Sequence, residues 1–221
     1  MDNKFTVIFD FDGTLANSLD LVARLYNENA HKYGALPIDM NELPEYRKLG
    51  YKKAMKKAKI RWTVLPRLVL FVSREMKKNM GEVKPYDGVV DVLNEIREQG
   101  ISIGVLTSND GALVHDYLEN NNFPVFDFIV SEKTMFGKEK ALKRIMKRHG
   151  LQRERVVYVG DEPRDITACN KAGIKVIGVT WGVGGREGLA STPPDWLVDT
   201  PQELKDTILK AKQASALSTK F

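Results

Sequence analysis

One cysteine and three histidines are all the soft or readily switched ligands that this 221-residue chain holds. Cys169 alone can build neither an internal disulfide framework nor a cysteine-only zinc site; a reducing compartment fits, and the expected location is the cytoplasm. His31, His115 and His149 stand far apart without metal-ligand spacing, which disfavours histidine-centred chemistry. Long apolar runs are scarce too. The best stretch, Thr63 to Val72, contains Pro66 and Arg67 and is about half the length of a membrane span, so no membrane partner is expected. The start of the chain reaches Asp10 without an Arg-rich or cleavable apolar leader, and no targeting segment is expected. No internal repeat or low-complexity tract is visible. What remains is 43% hydrophobic and 29% charged, the composition of a folded domain, with a length between one ordinary domain and two.

The charge is unevenly spread. A formal +5 comes from 34 basic and 29 acidic residues. The stretch from Asn17 to Glu82 holds 14 Lys/Arg against 7 Asp/Glu, whereas the rest holds 20 against 22. Its densest part runs from Arg47 through Lys48, Lys52, Lys53, Lys56, Lys57 and Lys59 to Arg61. Tyr51, Ala54, Met55 and Ala58 recur beneath it at helical spacing, so it reads as the solvated face of an amphipathic helix. A field of this sign draws anions, among them small phosphate-bearing molecules. No aromatic-interleaved basic motif accompanies it, and nucleic acid is not an expected partner.

Short β-branched runs alternate with amphipathic helical stretches. Strands are expected at Phe5–Phe9, Ile101–Leu106, Phe128–Val130, Val156–Val159 and Lys175–Val179. Helices are expected at Val89–Glu98, Ala112–Asn120, Lys138–His149, Asp165–Ala172 and Gln202–Ala211. This alternation implies an α/β fold, a Rossmann-like doubly wound parallel sheet with right-handed crossovers. Between Leu19 and Met80 the patterning is helical only, at Leu21–Tyr33, about Leu43–Ala58 and Leu65–Met80. The economical reading is an all-helical domain at 17–83, inserted after the first strand into a core formed by 1–16 and 84–221, with two hinge segments near Asn17 and Lys84. The tail from Ser215 is expected to fray.

Acidic groups gather where strands end. In Asp10-Phe11-Asp12-Gly13-Thr14 two carboxylates lie two residues apart in extended backbone, on one side of the chain, and Gly13 permits the turn that follows. A second apolar strand ends in Gly160-Asp161-Glu162-Pro163-Arg164-Asp165. The carboxyl ends of parallel strands line one crevice, so these groups should converge. Two carboxylates about 4 Å apart repel by about 4 kcal/mol at an effective dielectric near 20. Several together need a cation or must take up protons. All-oxygen ligands favour a hard ion, and Mg²⁺ commonly bridges one or two carboxylates and a phosphate. Thr107-Ser108-Asn109-Asp110 ends another strand with hydroxyl and N–H groups suited to an anion. Lys138 opens a helix at the end the macrodipole makes unfavourable for it, which hints at a further role.

Taken together, these motifs resemble the haloacid dehalogenase-like hydrolases, in particular their phosphatase branch. The likeness covers nearly the whole chain. Asp10-Phe-Asp12-Gly13-Thr14 matches the first family motif, and Gly160-Asp161-Glu-Pro-Arg-Asp165 the fourth. Thr107, or Ser108 in the alternative register, matches the second, and Lys138 the third. The helical insertion looks like the family's cap, and Val179-Thr180-Trp181-Gly182 with Pro201-Gln-Glu-Leu204 looks like phosphoglycolate phosphatase-type members. The resemblance implies hydrolysis of a small phosphate monoester through an aspartyl-phosphate. It makes Asp10 the nucleophile and Asp12 the general acid and then base. Mg²⁺ would be held by Asp10, the carbonyl of Asp12 and Asp161, with Asp165 and Glu162 in support. Thr107, Ser108 and Lys138 would bind the phosphoryl group, and Arg47 beside Gly50 is similar to a cap residue that contacts substrate. Lys138-Glu-Lys-Ala departs from the usual Lys-Pro-x-Pro run, and the basic cap argues against carrying phosphoglycolate over as the substrate. A phosphomutase of the same superfamily and a non-catalytic binding protein on the same fold are the alternatives. Assembly as a monomer or a homodimer is expected.

Overall fold

Every residue of Thr6–Phe9 (β1) is buried, which places this strand in the middle of a sheet covered on both faces. The computed structural model describes residues 4–132, 134 and 137–218; within the helix at 43–57 the side chains of residues 44, 47, 48 and 50–52 are not described. Five further strands follow, β2 (Ser102–Thr107), β3 (Phe128–Ser131), β4 (Val156–Gly160), β5 (Lys175–Val179) and β6 (Trp196–Val198). The sheet order is β3-β2-β1-β4-β5-β6 and every pair is parallel. This is the doubly wound arrangement expected from the alternation of strand and helix.

The two faces use alternate residues of the same strands, as the period of two requires. Val7, Phe9, Val105 and Val159 pack with α4 (Val89–Glu98), α5 (Gly111–Asn120) and α9 (Pro201–Ser218) through Leu93, Val114 and Ile208. Ile8, Leu106, Tyr158 and Val176 face α6 (Lys138–His149), α7 (Pro163–Ala172) and α8 (Gly185–Ala190) through Leu142, Ile166 and Leu189. The five expected strands fall within one residue of their observed ends. β6 and α8 were not foreseen, because three and six residues are too few for a period to show. Of the tail expected to fray, 215–218 continue α9, with Ser215 buried, and 219–221 lie outside the described residues.

Between β1 and α4 the chain forms α1 (Leu19–Asn29), α2 (Leu43–Lys57) and α3 (Leu65–Lys78), with short 3₁₀ turns and no strand among the described residues. These helices share a small apolar cluster of their own around Ala23, Tyr26, Leu43 and Leu68. The segments joining them to the sheet run side by side. Ala16 bridges Pro85 in antiparallel fashion, and the Asn17 N–H donates to the Lys84 carbonyl at 2.8 Å. Among the described residues no helix is long and apolar enough to cross a membrane.

Candidate active site

β1 and β4 are neighbours at the point where the strand order reverses, the position at which open parallel sheets leave a crevice beyond their carboxyl ends. β1 ends at Phe9 and β4 at Gly160, so the residues that follow them, Asp10 and Asp161, emerge on either side of that crevice. The Asp10 N–H still donates to the Val159 carbonyl at 2.8 Å, which fixes its backbone to the sheet. Asp165 arrives from α7, where Glu162 and Asp165 form a reciprocal capping box. One carboxylate oxygen from each of Asp10, Asp161 and Asp165 lies within 4.8 Å of the others, and all three residues are buried. Residues separated by some 150 positions thus meet, as the two acidic motifs implied.

Lys138 enters from the start of α6, buried, and its Nζ donates to Asp10 Oδ2 and to Asp165 Oδ1, each at 2.5 Å, and to the Tyr158 hydroxyl at 3.0 Å. Asp161 is held by the Thr14 hydroxyl at 3.0 Å and the Val183 N–H at 2.7 Å, while its carbonyl accepts from the Gly184 N–H. Two glycines make room for it. Gly13 has φ +75°, and a Cβ there would stand 2.3 Å from Asp161 Oδ2; a Cβ at Gly182 would stand 2.2 Å from the same atom. The Asp12 carboxylate is outside the trio. Its Oδ2 accepts from Asn109 Nδ2 at 2.6 Å, and the buried Ser18 hydroxyl stands against the same carboxylate.

Three buried carboxylates against one ammonium leave the crevice short of positive charge. Burial, set against the pull of Lys138, pushes the Asp10 carboxyl up to about 7. Burial also raises Asp12 to about 6 and, with Glu162 and Asp10 nearby, drives Asp161 well above the usual carboxylate range. Burial opposes the charged form of Lys138 as well, yet Asp10 and Asp165 outweigh it and hold the ammonium firmly protonated. A hard divalent cation would fit this donor set, which offers all-oxygen ligands and excess negative charge.

The other expected site residues fall in different places. Thr107 is buried at the end of β2, its hydroxyl accepting from the Asn109 N–H at 3.0 Å, whereas Ser108 is exposed. Glu162 is half-buried and pairs with Arg164. The side chain of Arg47 lies outside those described. Asn109, Thr14, Tyr158 and Val183 went unread as site residues. Asn109 carried one signal, a carboxamide two positions beyond the strand-ending threonine; the backbone N–H of Val183 carried none.

The model of the haloacid dehalogenase-like hydrolase family matches residues 7–179, which include all of these groups except Val183. A phosphoglycolate phosphatase from Synechococcus elongatus is 31% identical over 203 residues, spanning 91% of this chain and 96% of its own. A pyrophosphatase, PpaX, from Bacillus cereus is 24% identical over 204 residues, 90% of this chain and 94% of its own. A crystal structure of a predicted phosphatase from Clostridium acetobutylicum shares the fold with a TM-score of 0.73 at 23% identity, covering 95% of this chain and all of that one. An α/β enzyme with acidic groups at its switch point is thus matched over most of its length. The chain belongs to the haloacid dehalogenase-like hydrolases.

Proposed function

We propose that this hydrolase is a Mg²⁺-dependent phosphatase that cleaves a small-molecule phosphate monoester through an aspartyl-phosphate on Asp10. The observation that carries the reading is the Lys138 ammonium shared by Asp10 and Asp165, beside Asp161, at the carboxyl edge of the sheet. Lys138 holds the Asp10 carboxylate in one orientation and brings positive charge to where phosphoryl oxygens would lie. Asp10, Asp161 and the Asp12 carbonyl would hold the ion, with Asp165 and Glu162 behind them. When bound, it offsets the carboxylate charge and withdraws electrons from the phosphoryl group.

An oxygen of Asp10 attacks phosphorus while the bond from phosphorus to the leaving oxygen breaks, and Asp12 gives its proton to that oxygen. A carboxyl that titrates at about 6 is a serviceable donor near neutrality. Asp12, now ionised, takes a proton from water as the water attacks the acyl phosphate. The bond from phosphorus to Asp10 then breaks and phosphate leaves. Asn109 orients Asp12 for both steps. Thr107, with the exposed Ser108 beside it, and Lys138 bind the phosphoryl oxygens. The inserted helices serve as a cap that shields the reaction from water.

A panel of phosphate monoesters tests this. Phosphate release is expected only with Mg²⁺ present, and Asp10→Asn is expected to lower it by about a thousandfold or more. Turnover retained in Asp10→Asn would remove Asp10 from the role of nucleophile. If a bisphosphate were required for turnover and the phosphoryl group stayed on the product, the chain would be a phosphomutase instead.

A further inference from the structure

A cavity of about 530 Å³ begins beside Asp12 and runs into the three inserted helices. Around Asp12 its lining is polar, with Ser18, Ser108, Asn109 and Arg164. Further in, the lining becomes aliphatic and aromatic, with Val22 and Tyr26 from α1, Met55 from α2, and Leu68 and Val72 from α3. The Tyr26 hydroxyl is spent on the Leu36 carbonyl at 2.5 Å, so the ring presents carbon to the space. Among the described lining residues the charged side chains are Asp12 and Arg164, and Arg164 is already paired with Glu162.

Resting on the phosphatase reading above, we infer that the substrate is a phosphate ester of an apolar alcohol, alkyl or aryl, rather than of a carboxylate-bearing or phosphorylated one. The proton donor must stand next to the leaving oxygen, so whatever is bonded to that oxygen occupies the space next to Asp12. That space is this cavity. An anionic leaving group would meet this aliphatic and aromatic lining, where burying its charge is costly. A hydrocarbon leaving group exchanges water for Val22, Met55, Leu68 and Val72. The volume lies in the range of cavities that hold drug-sized ligands.

The test uses n-alkyl phosphates from ethyl to hexyl, whose leaving alcohols have nearly equal acidity, with phosphoglycolate and pyrophosphate as polar comparators. kcat/KM is expected to rise about three- to fourfold per methylene. The matching alkyl phosphonates, which cannot be hydrolysed, are expected to bind the Mg²⁺-loaded protein with a Kd that falls by a similar factor per methylene, read by calorimetry. A flat phosphonate series, or tightest use of phosphoglycolate or pyrophosphate, overturns the assignment. If no ester releases phosphate while phosphonate affinity still climbs with chain length, the apolar assignment stands and the phosphatase reading falls; phosphate release with flat series gives the reverse. Ala54→Phe, which places a ring in the cavity, is expected to lower the hexyl-to-ethyl ratio of kcat/KM about tenfold. An unchanged ratio in a variant that melts like the parent contradicts the inference.

Discussion

At the carboxyl edge of the sheet, Asp10, Asp161 and Asp165 are buried, and each is held by hydrogen bonds from Lys138, Thr14, Val183 or the α7 capping box. Among the described residues of the inserted helices the charged groups lie toward the surface instead. Lys53 pairs with Glu187 at 2.6 Å and Lys57 with Glu42 at 2.7 Å, and all four side chains are at least 40% exposed. There the apolar faces enclose a cavity in place of a filled core. One region holds a few buried oxygens in a connected set of hydrogen bonds, as a phosphatase requires of its electrostatics. The other leaves space next to Asp12, room for the group bonded to the leaving oxygen in the proposed reaction.

The contrast can be broken most forcefully at Lys138. Lys138→Met leaves two buried carboxylates without their shared cation, and a loss of about 3–5 kcal/mol is expected at neutral pH, read from urea unfolding of the metal-free protein. The loss should shrink near pH 5, where the carboxyls take up protons. A cost below about 1 kcal/mol would place Lys138 among the surface lysines.

A second test concerns pH. In the folded chain Asp10 and Asp12 titrate at about 7 and about 6, above the ordinary 3.8, and Asp161 is raised too. The folded state therefore binds protons that the unfolded chain has released. Their contribution to stability is complete below about pH 4 and is lost as the pH rises through about 6 to 7. The metal-free Tm is expected to fall between about pH 5 and about pH 8, and Mg²⁺ is expected to raise Tm more at the higher pH. An equal rise at both would separate the ion from this cluster.

The smallest effect belongs to the helices. Neutralising Lys52, Lys53, Lys56 and Lys57 together is expected to raise KM about three- to tenfold at low ionic strength, with a lesser change in kcat, and the effect should fade in high salt. Exposed ion pairs contribute little to stability, so Tm should move by only a few degrees. An unchanged KM would mean that the basic face does not steer substrate.

How much of this was legible beforehand follows from how local each signal is. Asp10 and Asp161 announce themselves because an apolar strand ending in acid is a local pattern, and the parallel sheet brings its strand ends to one edge. The burial of Lys138 could not be read in this way. Gly137-Lys138-Glu139-Lys140 looks like any lysine-rich helix start, and only the return of α6 across 128 residues places that one ammonium beside Asp10. The bond from Asn109 to Asp12 spans 97 residues and is equally silent in the sequence. Helical periodicity on α1, α2 and α3 identified apolar faces, yet periodicity does not tell whether facing helices close on each other or stand apart around a cavity. Thr107 and Ser108 were separable only once β2 had a defined end, which buries one and exposes the other.

The central claim, that Asp10 carries the phosphoryl group between the two half-reactions, is tested most directly by acid-quenching the Mg²⁺-loaded enzyme during turnover of hexyl phosphate and mapping the modified peptide by mass spectrometry. The account predicts one phosphoryl group on Asp10; in Asp12→Asn supplied with an aryl phosphate whose leaving group needs no proton, it should accumulate further, because the water-activating base is gone. A phosphoryl group on any other residue, or steady turnover with none on Asp10 in either protein, would contradict it.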